Sequence, residues 1–229
     1  MTCYYCGQQV EKPVSRSKTL LDHFFNERIR FLFRLSLDER KEYLANTAAI
    51  VFCEKGYQAT SLRDVAGKAK ISKAGVYHYF KTKEDILALI LIQHTDLFLR
   101  VLKERIKESQ AKDLDAKQAF QELIRTYANH LNQNKEVRLL VLRERHQLTR
   151  KNKSDLYKRE QAIFHLLKNE LKKIPDIDKK KNPSVISFLI ISMSHWLGYW
   201  FRESGGLGLE EIIDQNIRII FNGIFKNPS

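Results

Sequence analysis

Apolar residues recur every three or four positions along most of the chain, the spacing of helix faces packed on a core. Ser36-Leu37-Asp38-Glu39 reads as a capping box. It opens a helix to about Lys55 with Leu44, Thr47, Ala48, Val51 and Phe52 on one face, and Gly56 ends it as a C-cap. Cys53 is expected on the inner side of that helix, as a small core residue. Ser61 and Asp64 form a second capping box ahead of Leu62, Val65, Ala66 and Ala69. Ser72 caps a third short helix that turns Val76 and Phe80 inward and leaves Lys73, Ala74, Tyr77 and His78 on its other side. Thr82-Lys83-Glu84-Asp85 starts a long helix, to about Ser109, with Ile86, Leu87, Ile90, Leu97, Val101 and Leu102 in its stripe.

Five further helical segments are predicted. Leu114–Asn132 carries Phe120, Leu123, Ile124, Tyr127 and Leu131 inward, and Lys135–Arg150 carries Val137, Leu140, Val141 and Leu148. Ser154–Ile174 carries Leu156, Ile163, Phe164, Leu167 and Leu171. After a Lys-rich loop closed by Pro183, Ser184–Arg202 holds no formal charge from Val185 to Phe201. That length lies at the lower edge for a membrane span, but Ser187, Ser192, Ser194, His195 and Gly198 dilute it, and burial against several partners is the expected role. Leu209–Phe225 follows a glycine-rich turn, with Ile212, Ile213, Ile217, Ile220 and Ile224 on one face. The predicted class is all-α, with an N-terminal three-helix helix-turn-helix domain and a C-terminal helical domain for ligand binding and dimerisation. The expected domains are an extension over 1–36 with an amphipathic helix from Lys18 to Leu35, the helix-turn-helix domain over 37–83 and the body over 84–229.

Charge sharpens this picture. The chain carries 40 Lys and Arg against 27 Asp and Glu, a net +13. From Ser61 to Lys83, six basic residues face the single acid Asp64, so a tenth of the length holds more than a third of the excess. That is the footprint of phosphate binding, and two short helices at a steep angle suit the major groove. Ser61, Tyr77, Tyr79 and Lys83 are candidate phosphate contacts, although the phenol of Tyr79 suits core packing equally. Lys73 suits a base edge, since Lys donates to guanine O6 and N7. Ala74 and Gly75 allow close approach, and His78 reaches phosphate or base.

Gly56-Tyr57-Gln58-Ala59-Thr60-Ser61-Leu62-Arg63-Asp64-Val65-Ala66 and Ile71-Ser72-Lys73-Ala74-Gly75-Val76-Tyr77-His78-Tyr79-Phe80-Lys81-Thr82-Lys83-Glu84 resemble the DNA-binding domain of TetR-family transcriptional regulators. The match runs without a gap from about Asn46 to Leu91. The resemblance implies backbone-phosphate contacts from Ser61, Tyr77 and Lys83, double-stranded operator DNA as partner, and a homodimer joined through the last two long helices of each subunit. The N-terminal extension departs from the family pattern.

His195-Trp196-Leu197-Gly198-Tyr199-Trp200-Phe201-Arg202, the glycine turn and Leu209-Glu210-Glu211-Ile212 are similar to the matching region of members that govern fatty-acid and steroid catabolism and respond to acyl-CoA thioesters. The resemblance implies a small apolar effector, an acyl-CoA or fatty acid. Tyr127, Arg143, Met193, Trp196 and Trp200 are the candidate ligand contacts, while both Trp also suit dimer or core anchors. Arg145, Arg159 and Arg202 are further partners for phosphate groups, and His195 is expected to be a satisfied buried histidine.

The remaining features exclude more than they add. No G-x-S-x-G, H-E-x-x-H or P-loop occurs, so no enzyme is expected. Cys3-x-x-Cys6 supplies only half of a zinc site, so no metal or resident cofactor is expected. Three cysteines and no apolar leader suggest the reducing cytoplasm and no membrane. The functional expectation is a repressor that a small effector releases from its operator. The alternative is a DNA-binding factor without a small ligand, acting on protein partners through the N-terminal arm. A cavity in the body favours the first.

Overall fold

The computed structural model describes residues 36–133, 135–175, 177–178, 180–202 and 204–224. The expected helix at 18–35 and the Cys3-x-x-Cys6 pair lie outside them. The described residues form nine α-helices: α1 Leu37–Lys55, α2 Leu62–Ala69, α3 Lys73–Tyr79, α4 Lys83–Ala111, α5 Ala116–Gln133, α6 Lys135–Glu144, α7 Arg150–Leu171, α8 Pro183–Trp200 and α9 Leu209–Ile224. The chain divides into two compact units between Ile90 and Leu91, inside α4.

In the first unit, local chemistry sets the helix ends. Both capping boxes form: Ser36 with Glu39 at α1, and Ser61 with Asp64 at α2. Ser72 Oγ accepts from Gly75 N–H at 3.0 Å and starts α3. Side-chain caps of this kind contribute about 1 kcal/mol each. Gly56 closes α1 at φ +85°, a conformation that disfavours a Cβ. Lys70 ends α2 in the left-handed region, φ 57°, and makes the tight turn into α3. Lys55 Nζ donates to Asp64 Oδ1 at 2.7 Å, and with the bonds from Ser61 it holds the Asp64 carboxyl far below the usual carboxylate range. α1 packs on α2 and α2 on α3 around Val51, Phe52, Val65, Val76 and Phe80, all buried. Cys53 is exposed rather than part of this core. The buried arc of α1 runs through Thr47, Ala48, Ala49, Val51 and Phe52, and position 53 falls beyond its edge.

The second unit is built around α5, which packs against α6, α7, α8 and α9. Phe120, Leu123, Ile124, Tyr127 and Leu131 of α5 are buried as the spacing predicts, with Leu167, Leu171, Ile190 and Ile213 from its neighbours. Arg125 Nη1 donates to Glu210 Oε2 at 2.6 Å and Nη2 to Asp214, while Asn129 Nδ2 donates to Glu210 Oε1 at 2.7 Å. These bonds fix the α5–α9 register. Leu97 of α4 is exposed, because the buried stripe there runs through Leu91, His94, Phe98 and Leu102. The single helix expected over 135–150 is broken. α6 stops at Glu144, a 3-10 turn covers Arg145–Gln147, and Thr149 Oγ1 accepts from Asn152 N–H to start α7.

Candidate DNA interface and effector cavity

α3 presents the predicted surface. Lys73, Ala74, Tyr77 and His78 are exposed, and Tyr77 keeps 46% of its area open to solvent. Lys73 Nζ lies over the Tyr77 ring at 5.4 Å, so cation and phenol share one patch. A Cβ on Gly75 would meet Ile71 and Ser72 side-chain atoms at 3.4 Å, a contact the fold tolerates. Packing therefore does not account for the glycine, whereas close approach of a partner would.

Three of the predicted contacts have partners within the unit. The Ser61 hydroxyl caps α2 and bonds Asp64. Tyr79 is half-buried, and its hydroxyl accepts from Arg40 Nη1 at 3.4 Å. Lys83 Nζ donates to the carbonyls of Tyr57 at 2.6 Å and Gln58 at 3.2 Å, and lies 4.3 Å from the Tyr57 ring centroid. Lys83 thus ties the first turn of α4 to the loop that precedes α2. Sequence reading alone gave it only a phosphate role.

The second unit contains a cavity of about 560 Å³. Its apolar lining comes from Phe98 of α4, Leu131 of α5, Val141 of α6, Ile163 and Phe164 of α7 and Ile191 of α8. Polar groups interrupt it at His94, Thr95, Tyr127, Ser192 and His195. Tyr127 Oη and Nε2 of His195 are 3.3 Å apart. Exposed Arg145, Tyr157 and Phe188 also line it, with Glu160 accepting from Arg145 Nη2 at 3.1 Å.

His94 and His195 line the cavity, and His130 packs against His94. His94 stacks on His130 with centroids 5.5 Å apart, and His130 stacks on Phe98 at 4.4 Å. Burial pushes His94 down to about 4, helped by repulsion from His130 and His195. Burial alone lowers His130 to about 4. Both are neutral at physiological pH. Burial also pushes the Tyr127 phenol up, so it stays protonated.

Of the predicted ligand contacts, Tyr127 lines this cavity. Met193 lines a separate groove of about 350 Å³ with Val185, Leu189 and Ile219. Trp196 and Trp200 are exposed, by 65% and 51%, and neither lines the cavity. Arg143 is exposed and outside the lining, which takes Arg145 instead. Arg159 is engaged by Asp96 at 2.8 Å and by the Asp155 carbonyl at 2.9 Å. Sequence reasoning missed His94 and Phe98 in the lining, and His130, whose ring stacks on both. Their signal was present, since His94 and His130 interrupt otherwise apolar helix stripes.

The exposed apolar residues gather on α8 and α9: Val185, Phe188, Leu189, Trp196, Trp200 and Ile219. Among the described residues no helix is long and apolar enough to cross a membrane, and no group of three His, Cys, Asp or Glu suits a metal ion.

Residues 44–90 match the family model described as "Bacterial regulatory proteins, tetR family", and residues 113–224 match "Tetracyclin repressor-like, C-terminal domain". Among characterised relatives, the "HTH-type transcriptional repressor KstR2" of Rhodococcus jostii is 24% identical over 81% of this chain and 91% of its own length. Its namesake in Mycobacterium tuberculosis is 26% identical over 83% of this chain and 95% of its own. Among solved structures, AibR in complex with isovaleryl coenzyme A and operator DNA superposes with a TM-score of 0.69 at 23% identity, covering 80% of this chain and 98% of that one. PfmR of Thermus thermophilus superposes with a TM-score of 0.67 at 23% identity, covering 80% and 99%. At these identities the structural likeness speaks to the fold.

Proposed function

The chain belongs to the TetR family of bacterial regulatory proteins, and on that premise we propose that it is a repressor released from its operator by a small apolar effector. It is a DNA-binding transcriptional regulator and not an enzyme. The effector class proposed is an acyl-CoA or fatty acid. AibR, a structural neighbour, was solved with isovaleryl coenzyme A and operator DNA together. The cavity of about 560 Å³ has room for an acyl chain.

The observation that carries the reading is the composition of the cavity wall. His94, Thr95 and Phe98 belong to α4, whose first residue, Lys83, is bonded to the loop ahead of α2. α4 therefore supplies a cavity wall and, at its first residue, an anchor to the loop ahead of α2. A ligand that displaces the wall tilts α4 and changes the spacing between paired recognition helices. Two copies are required, since operators of this kind are read as two half-sites about 34 Å or a multiple apart. The exposed apolar face of α8 and α9 supports the homodimer. Lys73, Ala74, Gly75, Tyr77 and His78 then meet the groove, Ser61 and Tyr79 flank it, and Lys83 positions α4. The regulator acts in the cytoplasm, where its DNA lies.

For a full switch the effector must favour the DNA-incompetent state by about 5.5 kcal/mol. The test is binding to labelled DNA from the gene's own upstream region, at fixed salt, with and without a series of acyl-CoA thioesters. Specific binding that one chain length releases is the expected result. Specific binding that no thioester disturbs contradicts the effector assignment and leaves the DNA role standing.

A further inference from the structure

The buried end of the cavity carries information about the effector beyond its apolarity. His94 is 94% buried, yet its Nδ1 meets no hydrogen-bond partner. A buried nitrogen left unpaired is costly, so such atoms in native proteins are nearly always satisfied. His94 lines the cavity, beside the Tyr127–His195 pair at 3.3 Å. Thr95 already spends its hydroxyl proton on the Leu91 carbonyl at 2.8 Å.

The charge balance narrows what can bind there. The charged side chains in the lining are Arg145 and Glu160, and they are already paired with each other at 3.1 Å. His94 and His130 are neutral. A buried carboxylate would lose its hydration without gaining an unpaired cation, and an ammonium without gaining an unpaired anion. A plain hydrocarbon would leave Nδ1 unpaired. A carbonyl or hydroxyl oxygen on an apolar skeleton satisfies it without net charge. We infer that the effector carries a neutral oxygen, keto or hydroxyl, on its buried portion, and that His94 is the residue that selects it. The inference rests on the cavity being the effector site and deepens that reading from "apolar" to "oxygenated apolar".

The test uses the full-length protein and three near-isosteric probes: n-propylbenzene, propiophenone and 1-phenyl-1-propanol. Ligand-observed NMR titrations compare wild type with His94→Phe and His94→Asn, and octanoyl-CoA runs in parallel. At least one oxygenated probe is expected to bind wild type about 10-fold more tightly than propylbenzene. His94→Phe is expected to reverse that order, and His94→Asn, which retains a polar group, to keep part of it. If propylbenzene binds wild type as tightly as both oxygenated probes, the inference is overturned. It is equally overturned if the preference survives in His94→Phe. Should octanoyl-CoA fail to bind while the oxygen preference holds, the acyl-CoA assignment falls and this inference stands.

Discussion

Mild acid should loosen the C-terminal unit, and His94 should account for much of the loss. In the fold its pKa is lowered from 6.5 to about 4. As pH falls below 6.5 the unfolded chain takes up a proton that the folded chain refuses. Stability is therefore unaffected above 6.5, declines between 6.5 and 4, and levels below 4. At about 1.4 kcal/mol per unit, the decline for His94 alone comes to about 2 kcal/mol at pH 5 and about 3 kcal/mol at pH 4. His130 on α5 is lowered to about 4 as well and adds to the slope, although the two stacked rings repel one another when both are charged, so their titrations are coupled. The lowered carboxyls of Asp64 and Asp214 act in a lower window, below their ordinary value of 3.8, and do not confuse the comparison. The assay is urea denaturation of the full-length protein followed by circular dichroism at pH 7.5, 6 and 5, at one protein concentration. His94→Phe, close in shape and without a titrating nitrogen, should lose about 2 kcal/mol less than wild type between pH 7.5 and 5. Parallel losses in the two proteins would refute the reasoning.

Other substitutions separate the surface roles. Tyr77→Phe removes one exposed hydroxyl from α3. It should weaken operator binding about 10-fold, a charge-assisted bond's worth, with Tm unchanged. Lys73→Ala should relax preference at one base position if Lys73 reads a base, or reduce the salt slope by about one if it meets a phosphate; titrations at several salt concentrations on mutated operators distinguish these. Lys83→Ala breaks the bonds to the Tyr57 and Gln58 carbonyls and should cost about 2 kcal/mol in chemical denaturation. An unchanged denaturation curve would return Lys83 to a purely phosphate-binding role. Ile219→Asp places a charge in the exposed apolar face of α8 and α9; sedimentation should show a monomer with operator affinity reduced about 100-fold or more.

Much of the first unit was legible because its signals are local. Ser36, Ser61 and Ser72 cap the helices they announce, Gly56 ends α1, and the spacing of Leu62, Val65, Ala66 and Ala69 gives the buried face of α2. Cys53 was misplaced because periodicity locates the centre of a buried arc better than its edge. The break between α6 and α7 was placed a few residues late, after Arg150, because Val137, Leu140, Val141 and Leu148 keep helical spacing across it, although Thr149 marks the N-cap of α7. The cavity was the least legible part. Its walls come from five helices, so no stretch of sequence contains it. Met193, Trp196 and Trp200 share an aromatic-rich helix with His195, yet of these four only His195 lines the cavity. Which side of an apolar helix faces the interior is decided by the packing of α5 and α7 against it, and a uniformly apolar segment carries no period to reveal that side. His94 and His130 were the readable exception, two titratable rings in stripes that otherwise hold aliphatic and aromatic residues.

Under the proposed mechanism, the cavity and the DNA-reading surface are coupled through α4. Coupling of binding free energies is reciprocal. The most direct test measures effector affinity calorimetrically, first for the protein alone and then with saturating operator duplex. Operator is expected to weaken effector binding by the same factor by which effector weakens operator binding. Identical effector affinity with and without operator would contradict it.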